Sequence, residues 1–157
     1  MSSSEDNVAQ RVGRDLPPQE FLVKRIYLKD ASFEAPGSPG TFPREGWAPD
    51  VDLQMNDSAK KIEADLYEVT VTATVTVTSE KQVAYLIEVT QCGIFQISGF
   101  SNDAVKEHLG SHCLTILFPF VRATVSDLVS RGGYPQMLLA PINFQVLYHR
   151  QLTERVD

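Results

Sequence analysis

At 157 residues the chain suits a single domain, long enough to bury a core without disulfide or metal staples. Hydrophobic residues at 43% and charged residues at 22% make an ordinary globular balance. The net charge of -6 repels phosphate backbones, which excludes general nucleic-acid binding and favours a basic partner. Residues 1–19 are polar and close on Pro17 and Pro18. They offer too little apolar surface to offset ordering entropy and are expected to form a flexible tail. The stretch from Met1 to Asn7 lacks the basic and apolar regions of a signal peptide. Glu20 to Lys29 reads as a first strand, with Leu22, Ile26 and Leu28 on one face. Pro36, Gly37, Pro39, Gly40 and Pro43 then exclude regular structure, and this segment carries Phe33, Phe42 and Trp47.

Asp50 to Asn56 alternates with Val51, Leu53 and Met55 inward, a short second strand followed by turn residues Asn56 to Ser58. From Tyr67 to Thr78, Val69, Val71, Ala73, Val75 and Val77 alternate with threonines, giving a long β-branched third strand. Ser79 to Lys81 suits a hairpin loop. A fourth strand follows from Gln82, with Val83, Tyr85, Ile87 and Val89 inward and Ala84, Leu86 and Glu88 outward. A bulge or bend is expected at Gly93 before Phe95 and Ile97 resume the inward register. Beyond Asp103 the period shifts toward 3.6, with Leu114, Leu117, Phe120, Val121, Val125, Leu128 and Val129 on a wide stripe. Pro119 either kinks that helix or starts it, and Arg131-Gly132-Gly133 stops it. The longest strongly apolar stretch, Leu114 to Ala123, is shorter than the roughly 20 residues that span a bilayer. After a loop holding Met137, Leu138 and Leu139, Asn143 caps a last helix whose apolar positions are Phe144, Leu147, Tyr148 and Leu152. Strands first and helices last predict an α+β fold with helices on one face of an antiparallel sheet.

Catalytic and nucleotide motifs are absent: there is no glycine-rich phosphate loop, no nucleophile elbow and no paired-histidine zinc helix of the metalloprotease type. No ATP use and no cofactor are expected. His108, His112 and Cys113 are the best metal candidates, but Cys113 points about 100° from the two histidines, so they read as ordinary helix residues. Cys92 and Cys113 have no activating base by sequence and read as small buried filler. His149 stands alone and reads as a solvated helix residue. Two features remain. Apolar side chains sit where loops are normally polar: Phe33, Phe42, Trp47, Met137, Leu138 and Leu139. They suit a groove for apolar segments of other chains. Acid also gathers on the outward sheet face, with Glu88 beside Leu86 and with Asp30 and Glu34 after the first strand. That suits docking of a basic partner around a small apolar anchor.

Several stretches carry a family resemblance: Arg25 to Pro36 (RIYLKDASFEAP), Gly93 to Phe95, Ile116 to Phe120 (ILFPF), Ser130 to Gln136 and Leu139 to Phe144. In this order, across residues 25–144, the chain resembles the SecB family of bacterial protein-export chaperones. The resemblance implies a four-stranded antiparallel sheet with two helices on one face, assembled as a homotetramer, a dimer of dimers. It implies a tail over 1–19, a chaperone domain over 20–157, a cytoplasmic location, no enzymatic activity and no insertion into a membrane. Unfolded precursor proteins are then the clients, held by Phe33, Phe42, Trp47, Met137, Leu138, Leu139, Phe144, Leu147 and Tyr148. The SecA motor is the partner, docking on Asp30, Glu34, Leu86 and Glu88. His112 to Thr115 replaces the Cys-Pro-Asn type of sequence that the family often has there, which leaves the start of the long helix open. The chain reaches Asp157 without a long polar tail, so a SecA contact through such a tail is expected to be weaker. One alternative is a SecB-like chaperone dedicated to a single client such as an antitoxin. Another is a small metal-dependent enzyme using His108, His112 and Cys113.

Overall fold

The computed structural model describes residues 17–156, with side chains to residue 154. The expected tail therefore lies, up to residue 16, outside the described residues. Four strands form one antiparallel sheet: β1 (Glu20–Glu34), β2 (Asp50–Glu63), β3 (Leu66–Ser79) and β4 (Gln82–Ser98), in the order β1-β4-β3-β2. A helical run follows, made of α1 (Asn102–Glu107), a π turn (His108–His112) and α2 (Cys113–Arg131), and α3 (Phe144–Val156) ends the fold.

The core sits between the sheet and α2. Val69, Val71, Ala73, Val75 and Val77 of β3 are all but inaccessible to solvent and face Ile87, Val89, Phe95 and Ile97 of β4 on the same side. From the helix, Leu114, Leu117, Val121, Val125 and Val129 close this layer at three- and four-residue spacing. Glu80 and Lys81 both take positive φ, 50° and 66°, forming the two-residue hairpin turn whose twist matches that of the strands.

Four strand expectations need correction. β1 and β2 are longer than their apolar patterns suggested. The mostly polar run Asp57 to Glu63 remains in the ladder because β3 pairs with it, with one register shift at Ile62. In β1, register shifts at Lys24 and Lys29 break the period of two. Leu22 therefore lies opposite Gln96 on the outer face, while Ile26 and Leu28 face the helices. In β4, a shift beside Val77 reverses two assignments: Ala84 is 0% exposed and Val83 is 45% exposed. Gly93 hosts no bulge, since both neighbouring ladders run through it. A Cβ there would come within 2.6 Å of the Phe95 ring and 3.0 Å of Leu117, so the missing side chain makes room for helix packing.

Ser101 caps α1, its hydroxyl accepting from the Ala104 N–H at 3.2 Å. The long helix therefore begins well before the divergent His112 to Thr115 segment. Pro119 neither starts nor ends it. It occupies an exposed position within α2, where its missing N–H costs a bond on the solvent side. Gly133, at φ +85°, completes a six-to-one closure in which the Tyr134 N–H donates to the Val129 carbonyl at 3.2 Å. The run Asn102–Arg131 spans 30 residues and is, by length and composition, apolar enough to cross a bilayer. The shorter apolar stretch read from sequence understated it, and its buried stripe is used against the sheet. Asn143 caps α3 as expected, its Oδ1 accepting from the Val146 N–H at 3.1 Å.

Candidate functional site

The outer face of the sheet gathers the four acidic-patch residues. Glu34 lies directly opposite Leu86, Ser32 opposite Glu88, and Asp30 opposite Thr90. Because side chains alternate across a strand, Asp30, Glu34, Leu86 and Glu88 share one side of the β1–β4 ladder. The three carboxylates are exposed and form no ion pair with a described residue, while Leu86 is half-buried among them. Threonines continue the face over β3, and Asp52 on β2 extends the acid, opposite Thr76. Farther along, the Tyr27 hydroxyl donates to Glu68, with Lys29 at 3.9 Å from the same carboxylate. That hydrogen bond and burial raise the Tyr27 pKa.

The helix side holds the apolar residues, in two separate places. At one end, Phe33, Phe42, Trp47 and Tyr85 surround Tyr134, with ring centroids 4.7–6.4 Å from it. The Tyr134 hydroxyl donates to the Ala84 carbonyl at 3.1 Å and lies 2.8 Å from the Thr41 hydroxyl. Met137 joins through the Tyr85 hydroxyl, 3.8 Å from its sulfur. Phe33 packs so closely on the helix end that a Cβ at Gly132 would meet its ring at 2.1 Å. Phe42 remains 39% exposed and Leu138 65% exposed, whereas Leu139, at 6%, is core.

At the other end, a cavity of about 220 Å³ opens between β2, the π turn and α3. Leu53, Met55, Leu114, Phe144, Leu147 and Tyr148 are among the residues lining it. Phe144 is nearly sealed and forms the floor, while Leu147, at 43% exposed, is the rim. Tyr148 stacks over Gly110, where a Cβ would come within 2.7 Å of its ring. Asp57 also borders this cavity, and desolvation raises its carboxyl pKa. Sequence reasoning missed the organising role of Tyr134, although its place just after the Gly132-Gly133 stop was visible. It also missed Asp57, which sits in a polar run with no alternation to mark its face.

Neither cysteine is poised for nucleophilic work. Both are free and buried, and desolvation pushes the Cys113 thiol up to about 12. His108 and His112 meet, their Nδ1 atoms 3.1 Å apart, with Phe21 stacked on both rings. Burial, then the neighbouring His112, lowers the His108 pKa, partly opposed by Glu107. Among the described residues no group of three or more histidines, cysteines and carboxylates is arranged to hold a metal. His149 is not alone: its Nε2 lies 3.6 Å from Glu107.

A family model described as Preprotein translocase subunit SecB matches residues 15–155. The Protein-export protein SecB of Methylococcus capsulatus (strain Bath) is 46% identical over 136 residues, covering 87% of this chain and 87% of that protein. That of Nitrosococcus oceani is 41% identical over 153 residues, covering 97% of this chain and 93% of that protein. Among solved structures, a Mycobacterium tuberculosis SecB-like chaperone in complex with an antitoxin peptide matches with a TM-score of 0.67 at 14% identity. The match covers 87% of this chain and 96% of that one, and it shows the shared fold. With nearly its whole length matched by the family model, the chain belongs to the SecB family.

Proposed function

We propose that the chain is an ATP-independent cytoplasmic chaperone, not an enzyme, that holds unfolded precursor proteins and passes them to the SecA motor for export. The observation that carries this reading is the division of labour across one sheet. Accessible apolar and aromatic surface lies on the helix side, and unpaired acid lies on the other. A protein that binds the unfolded state and not the native one shifts folding by mass action, and needs only broad apolar contact to do so. Leu138, Phe42 and Leu147 are the accessible members of the proposed client surface, while Phe33, Trp47, Met137, Phe144 and Tyr148 shape its walls. Leu139 supports it from within the core. Asp30, Glu34, Leu86 and Glu88 are the proposed SecA-docking patch, presenting negative charge around an apolar anchor.

The domain is proposed to run from 20 to 157 and to assemble as a homotetramer, a dimer of dimers. Val23 and Leu28 on the helix side of β1 and Phe120 on α2 are exposed in the single chain, which supports burial between subunits. The antitoxin-dedicated alternative has only fold similarity behind it, whereas the export relatives match at 41–46% identity over most of the chain.

The test is native mass measured with and without an unfolded precursor. A species near four chains that binds the unfolded precursor and ignores the folded one supports the reading; a monomer indifferent to both overturns it. Glu88→Lys reverses one charge in the acidic patch without touching the helix side. It is expected to leave precursor binding intact and to weaken SecA binding about tenfold or more. Equal loss of both activities would count against the separation of the two faces.

A further inference from the structure

The π turn places two imidazoles in an arrangement that the holding function does not use. His108 and His112 stand four residues apart on a widened helical turn, where the Cys113 N–H reaches back to the His108 carbonyl. Their Nδ1 atoms are 3.1 Å apart. Phe21 stacks on both rings, at centroid distances of 4.9 and 4.3 Å, and Phe100 meets the His108 ring edge-on at 4.6 Å. The rings are therefore held in place by packing across from β1, not by each other alone. They border an open cavity of about 420 Å³ that Glu107, Ser111, Thr115 and Gln145 also line.

We propose that His108 and His112 chelate a divalent transition-metal ion through their two Nδ1 atoms. The geometry fits. Two nitrogens 3.1 Å apart, each about 2.05 Å from an ion, subtend roughly 98° at it. That angle lies between the square-planar and tetrahedral values. Water in the cavity would complete the coordination sphere. Two neutral imidazoles favour the borderline ions Zn²⁺, Ni²⁺ and Cu²⁺, and disfavour Mg²⁺ and Ca²⁺, which demand oxygen ligands. Cys113 takes no part, because its side chain is buried in the core. Glu107 is turned toward His149. The same turn carries Gly110 against Tyr148, so a bound ion would also brace one wall of the apolar cavity on α3.

The experiment uses untagged, chelator-stripped full-length protein titrated with Zn²⁺ and, separately, Ni²⁺ in a calorimeter. One ion per chain is expected, with binding weakened at least about tenfold in His112→Ala, since even outer-shell changes at metal sites cost about that much. His112 is exposed, so its replacement should fold; His112→Phe, which keeps a ring against Phe21 but offers no nitrogen, should lose binding as His112→Ala does. His149→Ala should bind as the parent does. Zn²⁺ should raise the melting temperature of the parent, reversibly with chelator, and not that of His112→Ala. Absence of saturable binding, equal binding by His112→Ala, or equal loss in His149→Ala would each overturn the site.

Discussion

The two faces of the sheet are built from nearly the same shapes and have opposite fates. Along β3, Val71, Val75 and Val77 are sealed beneath α2, while Thr70, Thr72, Thr74 and Thr76 between them form the middle of the open face. Valine and threonine are both β-branched and both suit a strand, so strand propensity is satisfied on either side. A methyl in place of a hydroxyl decides which side goes under the helix. The open face can then stay polar and acidic without loosening the core. The two surfaces proposed for binding, one greasy and one charged, thus share one sheet while facing away from each other.

The largest effect should come from adjacent residues on β4. Ile87 is fully buried on the helix face and Leu86 is half-buried on the outer face. Ile87→Ala is expected to cost about 2–5 kcal/mol of unfolding free energy in urea titrations, through lost burial and the cavity left behind. Leu86→Ala should cost about 1 kcal/mol or less, and its main effect should be on SecA binding. Similar losses of stability in the two variants would break the distinction between the faces. A sharper version exchanges the two shapes on β3. Val75→Thr puts a hydroxyl where no partner is available and should cost about 1–3 kcal/mol. Thr74→Val, on the neighbouring outward position, should change stability by no more than about 0.5 kcal/mol.

This asymmetry also explains which parts of the molecule were legible in the sequence. β3 was readable because its burial alternates without interruption. The caps at Asn143 and Gly133 were readable because each uses local chemistry that its own residue announces. The acidic patch was anticipated as residue types, and strand pairing supplied what the chain order could not: Glu34 and Leu86, 52 positions apart, lie side by side. The failures cluster where an extra residue enters a ladder. Single-residue shifts at Lys24, at Lys29 and beside Val77 each flip the side chains that follow, and an alternation rule applied to one strand cannot detect them. The meeting of His108 and His112 followed from their spacing, but the role of Phe21 did not, since it comes from another strand. Sequence reasoning marks Phe144, Leu147 and Tyr148 as client-binding residues but misses the part of β2 in their cavity. That cavity is formed by the absence of cover over β2, and sequence patterns report what is covered.

The smallest effect tests a sheet carboxylate that lies on the helix face. Asp57 lies opposite Val71, on the helix face, at the border of the α3 cavity. Desolvation raises its folded pKa above the ordinary 3.8, because the charged form loses water without gaining a cation. The folded state therefore holds this proton more tightly than the unfolded chain does. Asp57's favourable contribution is complete below the unfolded pKa and is lost as pH rises through the folded value. Asp57→Asn removes that dependence while keeping the shape. The variant is expected to match the parent near pH 3, to overtake it as pH rises, and to stay modestly more stable at neutral pH, as read by denaturant midpoints. A parent that instead gains on the variant with rising pH would mean that the carboxylate is stabilised where it sits. The cavity would then be polar enough to welcome charge, and the helix side would no longer be the dry face of the sheet.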